Sequence, residues 1–153
     1  MTPEHEIPDQ DTINHQRLAW DTEYRIKGSL WGNSPLAPTT QINKGVFLDL
    51  GCGNGKNLRT ASSVTCRIGL DFSMQALRLC KARPELKDVF FICADVRYLP
   101  FKNSRIQSID AHHILGHLLY TDRITAVREI THVLAPDGEL QVTVFGTEDF
   151  RNK

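Results

Sequence analysis

The chain has 153 residues and a mass of 17.3 kDa, the length of one domain. Its 41% hydrophobic and 24% charged residues suffice for a buried core and exclude a disordered composition. Lys and Arg number 18 and Asp and Glu number 18, so the formal net charge is zero and bulk charge gives no argument for binding nucleic acid or membrane. Apolar runs such as Val46 to Leu48 and Val89 to Ile92 fall far short of the ~18 residues that cross a bilayer. The N-terminus, Met1-Thr2-Pro3-Glu4-His5-Glu6, is polar and acidic rather than leader-like, so the expectation is a soluble, cytoplasmic protein. Cys52, Cys66, Cys80 and Cys93 form no C-x-x-C pair and have no His at zinc-finger spacing. They read as reduced, mostly buried small residues, and no metal site is expected.

Residues 1–45 differ from the remainder, being acidic, lacking a strand-like run and ending in a segment rich in Pro, Thr, Ser and Asn. Within them Ile13, Arg17, Trp20 and Tyr24 recur at helical spacing, with Thr12 or Asp11 as a cap and Gly28 as a stop, which predicts one amphipathic helix followed by a linker. From Val46 a strand-helix alternation begins. Val46 to Leu50 is an apolar strand running into Gly51-Cys52-Gly53-Asn54-Gly55, followed by a short helix through Leu58 and Ala61. Cys66 to Leu70 is a second strand ending at Asp71; Ser73 caps a helix with Ala76, Leu77 and Cys80 on one face, stopped by Pro84. Val89 to Cys93 is a third strand and Ile106 to about Ala111 a fourth. Thr121 or Asp122 caps a long helix carrying Ile124, Val127, Ile130 and Leu134, and after the Pro136-Asp137-Gly138 turn a fifth strand covers Glu139 to Phe145. Strands about 20 residues apart with helices between them imply parallel β-α-β units in a doubly wound α/β sheet.

A glycine-rich turn between a strand and a helix lets backbone approach a ligand closely at the carboxyl ends of the strands. The dinucleotide fingerprint G-x-G-x-x-G needs glycine at position 56, which is Lys56, so the rival reading, an NAD-dependent oxidoreductase, fails in its spacing. Asp49-Leu50-Gly51-Cys52-Gly53-Asn54-Gly55 instead resembles the first motif of class I S-adenosylmethionine (SAM)-dependent methyltransferases. Downstream residues agree: Asp71 closes strand 2 and Asp95, in Cys93-Ala94-Asp95-Val96, closes strand 3. The resemblance implies a Rossmann-like sheet of order 3-2-1-4-5 over residues 46–153, SAM as cofactor and S-adenosylhomocysteine as product. It further implies that Asp71 accepts from the ribose hydroxyls, Asp95 accepts from the adenine amine, Phe72 lines the adenine and the Val96 amide meets a ring nitrogen. Asp49 would hold the methionine amino end beside the Gly51 to Gly55 loop. Charged acceptors facing a diol and an amine give short, strong hydrogen bonds that suit these roles.

Ile106-Gln107-Ser108-Ile109-Asp110-Ala111-His112-His113-Ile114-Leu115-Gly116-His117-Leu118 resembles the family's fourth motif, with Gln107 where the family has aspartate. On that register His112 faces the methionine part of SAM, and His113 and His117 follow the strand. A base is needed only when the methyl acceptor must lose a proton; His112 and His113 are the candidates, or else turn histidines bonded to backbone. Trp20, Tyr24 and Trp31 resemble aromatic pieces that fold over the SAM pocket in such enzymes, and equally suit docking the first helix on the sheet. Between Lys56 and Lys87 stand seven Lys or Arg and two Asp or Glu, either a solvated face or one admitting an RNA acceptor. The function expected is methyl transfer from SAM to a small molecule or tRNA, with Glu148 to Arg151 bordering the acceptor side. The expectation from the resemblance is a domain lacking the family's C-terminal strands after strand 5. That would leave a bare edge and gives a second possibility, a non-catalytic SAM-binding module or fragment completed by homodimerisation.

Overall fold

The computed structural model describes residues 10–30, 32, 34, 45–61 and 64–146. Five strands, β1 (Val46–Leu50), β2 (Cys66–Asp71), β3 (Val89–Cys93), β4 (Ile106–His112) and β5 (Leu134–Thr143), form one sheet of order β3-β2-β1-β4-β5, and every neighbouring pair is parallel. Such a sheet is covered on both faces, and side-chain alternation along β1 divides the core accordingly. Leu48 and Leu50 stand in register with Ile109 and Ala111 of β4, and together they pack with Ala126, Ile130 and Val133 of α3 (Tyr120–Val133). Phe47 points the other way, into a second cluster with Leu58, Leu77, Cys80, Leu86 and Val89. Leu77 and Cys80 come from α2 (Met74–Lys81), which Ser73 caps as expected by accepting from the Ala76 amide.

Helix α1 (Gln10–Lys27) ends at Gly28, whose φ of 67° is the left-handed conformation that closes a helix. It packs against α2 rather than lying on the sheet. Of its expected inner face, Tyr24 is buried and Ile13 and Trp20 are half-buried, whereas Arg17 is exposed and bonds Asn14.

Three expected boundaries are corrected. The helix after the glycine loop is a single 3-10 turn, Asn57–Arg59. Neither Thr121 nor Asp122 caps α3: Leu119 occupies that place without a side-chain bond, and Asp122 lies in the first turn with its carboxylate on Arg97, a tertiary partner that a local pattern does not reveal. Strand β5 starts directly after α3 at Leu134, so Pro136-Asp137-Gly138 is a bulge within the ladder, between the pairs Ile106–Leu134 and Ser108–Glu139, with Asp137 at φ 60°. The expected roles of Trp31 and of Glu148 to Arg151 fall outside the described residues. Among the described residues no helix is long and apolar enough to cross a membrane.

Candidate functional site

A cavity of about 470 Å³ opens at the carboxyl ends of β1 to β4, within the size range of ligand pockets. Its floor is the glycine loop, with Gly51, Cys52, Gly53 and Asn54 in the wall. The loop folds this way because Gly51, Gly53 and Gly55 all adopt positive φ, at 70°, 54° and 76°, which side-chain-bearing residues rarely do. A Cβ on Gly53 would stand 2.6 Å from the Tyr24 hydroxyl, and one on Gly55 would stand 2.5 Å from a Leu86 methyl. Gly55 therefore packs the loop against the core behind it, and neither it nor Asp49 belongs to the cavity wall.

Asp49 is 1% exposed and stands in register with Asp110 of β4. Burial, then the Asp110 charge, push its carboxyl well above the ordinary range. Asp49 thus lies in β1 directly before the loop, behind the residues that line the cavity.

Asp71 does reach the wall. One of its oxygens accepts from the Gly53 amide at 2.8 Å and the other from the Ser73 amide at 2.8 Å, so it ties the loop to the start of α2. Burial raises its pKa from 3.8 to about 6, against those backbone hydrogen bonds, which lower it. Phe72, Asp95 and Val96 line the same wall, with Val96 buried. Asp95 is gripped by Arg97, whose Nε lies 2.9 and 3.0 Å from its two oxygens.

Helix α1 roofs the cavity through Gln16, Ala19, Trp20, Glu23 and Tyr24, a single face at helical spacing. Asp21 anchors this roof by accepting from the Ser73 hydroxyl at 2.6 Å and the Gln75 amide at 3.0 Å, where the N-terminus of α2 favours a carboxylate. Asn54 holds the following segment, donating to the Ser29 hydroxyl at 2.7 Å. Burial, with Asp71 as the next cause, keeps the Tyr24 phenol protonated well past its usual range.

His112, His113 and His117 complete the wall. The His112 Nδ1 is 2.9 Å from the Thr143 hydroxyl and Nε2 is 3.4 Å from Asp110 Oδ2, so both ring nitrogens face protein partners. His113 has φ 61°, donates its amide to the Thr143 carbonyl at 2.7 Å and stacks on Phe145 with centroids 4.2 Å apart. At the rim, His117 meets Trp20 edge-on at 4.9 Å, and partial burial lowers its pKa. Gln107 offers its side-chain oxygen to the Val46 amide at 2.7 Å, stitching β4 to the start of β1. Lys56 also lines the cavity, its ammonium pKa lowered by partial burial. The roles of Asp21, Arg97 and Asp122 had no signal in the sequence, because their partners lie 52, 2 and 25 positions away in patterns common to loops.

Residues 47–138, more than half of the chain, match the family model described as methyltransferase domain. The mouse protein named probable tRNA methyltransferase 9B is 30% identical over 101 residues, which cover 65% of this chain and 22% of that protein. The Bacillus anthracis malonyl-[acyl-carrier protein] O-methyltransferase is 28% identical over 114 residues, 69% of this chain and 39% of that one. A Haloferax volcanii methyltransferase, solved in complex with the Trm112 methyltransferase activator, superposes with a TM-score of 0.61 at 19% identity, covering 88% of this chain and 57% of its own. The chain thus spans well under half the length of these two sequence relatives. With its sheet order and its matched residues, it belongs to the class I SAM-dependent methyltransferase family.

Proposed function

We propose that this domain binds SAM in the roofed cavity and transfers its methyl group to an acceptor, a small molecule or a tRNA. The observation that carries the reading is the convergence of Gly51 to Asn54, Asp71 and Asp95 from three strand ends on one cavity. The fit to the cofactor is chemical: a side-chain-free loop for close approach, one carboxylate each for a diol and an amine, and Phe72 as an apolar wall. Bound SAM would supply an activated methyl group on a sulfonium with a good leaving group, so positioning provides most of the rate. Gly51, Cys52, Gly53, Asn54 and His112 hold the methionine end in this reading. Asp71 takes the ribose, Phe72, Asp95 and Val96 take the adenine, and the α1 roof excludes water through Trp20 and Tyr24.

His112 is held between Thr143 and Asp110 through both ring nitrogens. Where the acceptor must lose a proton, His112 and His113 are the candidate bases. The relatives' names include tRNA and acyl-carrier substrates. Exposed Arg78, Lys81 and Lys87 remain available to an RNA phosphate backbone, whereas Arg67 is bonded to the Leu58 carbonyl and Arg83 pairs with Glu85.

A second reading rests on β5, an edge strand of the sheet that leaves Leu140 and Val142 41% and 43% exposed, with Val144 just beyond it 53% exposed. It is a cofactor-binding module completed at that edge by a second copy, or by an activator of the kind seated on the Haloferax protein. Titration calorimetry with SAM and with NADH tests the main reading: SAM must bind and NADH must not. Transfer of labelled methyl to pooled tRNA or metabolites separates enzyme from inert binder, and light scattering reports a dimer if the edge pairs.

A further inference from the structure

Cys52 and Cys80 are free thiols on two elements, the glycine loop and α2, and both belong to the core cluster that holds Phe47 and Leu77. Their side chains are hydrogen-bonded to one another. Cys80 also donates to the Gly53 carbonyl at 3.0 Å, so its one proton is engaged by the loop and Cys52 is the donor to the Cys80 sulfur. The backbone pins Cys52 in place: its amide donates to the Leu70 carbonyl at 3.0 Å, and its carbonyl accepts from the Gly55 amide at 2.9 Å. The two thiols differ in access. Cys80 is 0% exposed, whereas Cys52, at 4%, stands in the cavity wall. The bond to Cys80, then burial, push the Cys52 thiol up, so its thiolate is scarce at neutral pH and its attack on an oxidant is slow. Proximity supplies what acidity does not, because the second sulfur is already in contact with the first.

We propose that Cys52 and Cys80 form an oxidation site, at which hydrogen peroxide entering the cavity closes a disulfide between the glycine loop and α2. The Cys52 thiolate attacks one peroxide oxygen, the O–O bond breaks, and the departing hydroxide takes up the thiol proton as water. The Cys80 sulfur then attacks the Cys52 sulfenic acid; the S–O bond breaks and a second water leaves with the Cys80 proton. Two thiols are oxidised and one peroxide is reduced to two waters. The bridge removes the donor on the Gly53 carbonyl and draws the loop toward α2. Gly53 also gives its amide to Asp71 at 2.8 Å, so the bridge disturbs two residues of the cavity wall. Its effect on cofactor binding rests on the reading above, that this wall holds SAM. Bound cofactor in turn covers Cys52 and slows the oxidation.

The test treats the full chain with hydrogen peroxide, with and without S-adenosylhomocysteine, then blocks the remaining thiols and maps the unreduced peptides by mass. A linked Cys52–Cys80 peptide pair must appear, form faster at about pH 9 than at about pH 7, and form more slowly with S-adenosylhomocysteine present. Cys66 and Cys93 are more exposed and must not replace either partner. In calorimetry the bridged protein should bind S-adenosylhomocysteine at least about tenfold more weakly than the reduced one, the worth of one hydrogen bond to a charged group, and dithiothreitol should restore the affinity. Absence of the linked pair, or a bridged protein whose affinity stays within about twofold of the reduced one, would overturn the proposal. Cys80→Ser keeps a hydroxyl for the Gly53 carbonyl and removes the second sulfur, so peroxide should leave a Cys52 sulfenic acid that dimedone captures; should the variant not fold, the wild-type map decides. If reduced wild type does not bind S-adenosylhomocysteine, the cofactor reading falls, and the peptide map still shows whether the pair is oxidised.

Discussion

Asp71 couples the cofactor site to pH in a way that can be worked through. Its pKa of about 6 against an ordinary 3.8 means that ionising it inside the fold costs about 3 kcal/mol, at 1.36 kcal/mol per pKa unit. The folded value is the raised one, so the stability this group contributes is fully present below about pH 4 and is lost as pH rises through about 6. Cofactor binding has the opposite sign, because a ribose diol is bonded by the ionised carboxylate. The ionised fraction falls from about 0.9 at pH 7 to about 0.1 at pH 5, so SAM affinity should fall about tenfold over that interval. Asp71→Asn removes the titration and should bind about 10- to 150-fold more weakly at pH 7, the worth of about 1.5–3 kcal/mol for hydrogen bonds to a charged group. Calorimetry of both proteins at pH 5, 6 and 7 measures this. The other groups of the wall are unchanged in the variant, so a slope that survives in Asp71→Asn would refute the assignment to Asp71. A flat wild-type profile would refute the shift itself.

Asp21→Ala should lower the unfolding free energy by about 1 kcal/mol, the usual worth of a helix cap, and speed SAM dissociation in stopped-flow, since α1 loses its two bonds to the start of α2. Gly55→Ala forces a Cβ to within 2.5 Å of Leu86 and 3.0 Å of the Cys80 sulfur at a φ of 76°; about 1–3 kcal/mol should be lost in a urea melt, and an unchanged midpoint would show that the loop relaxes freely. Ser108 is 0% exposed and its hydroxyl has no hydrogen-bond partner among the described residues. Ser108→Ala should therefore stabilise by about 1 kcal/mol or more by relieving an unpaired buried polar group, seen as a raised melting temperature, and a lowered one would mean that the hydroxyl is paired in solution.

Periodicity and punctuation were legible wherever the deciding contacts are local. The boundaries of β1, β3 and α2 follow from continuous apolar runs, the Ser73 cap and Pro84; β1 is apolar because it is buried on both faces, whereas the β3 run holds at the sheet edge even with Phe90 exposed. Asp71, Phe72, Asp95 and Val96 were readable as wall residues for a related reason: residues at the carboxyl end of a parallel strand reach the same crevice in any sheet of this order. The pairing of Asp49 with Asp110 across β1 and β4 had no signal in the sequence, because strand register is set by the sheet as a whole. The start of α3 was misjudged because Asp122 has a better partner in Arg97, and β5 because a bulge looks like a turn in one dimension.

The sequence by itself determined the alternation of elements, the glycine loop and the acids at the strand ends, since each follows from the conformational needs of a few adjacent residues. Only the tertiary structure decided what those acids face. Asp71 binds the loop and α2, Asp95 is locked by Arg97 to α3, and α1 is latched over the cavity by Asp21. In each case the partner is brought close by the packing of whole elements, and a carboxylate takes whichever donor the fold brings within about 3 Å.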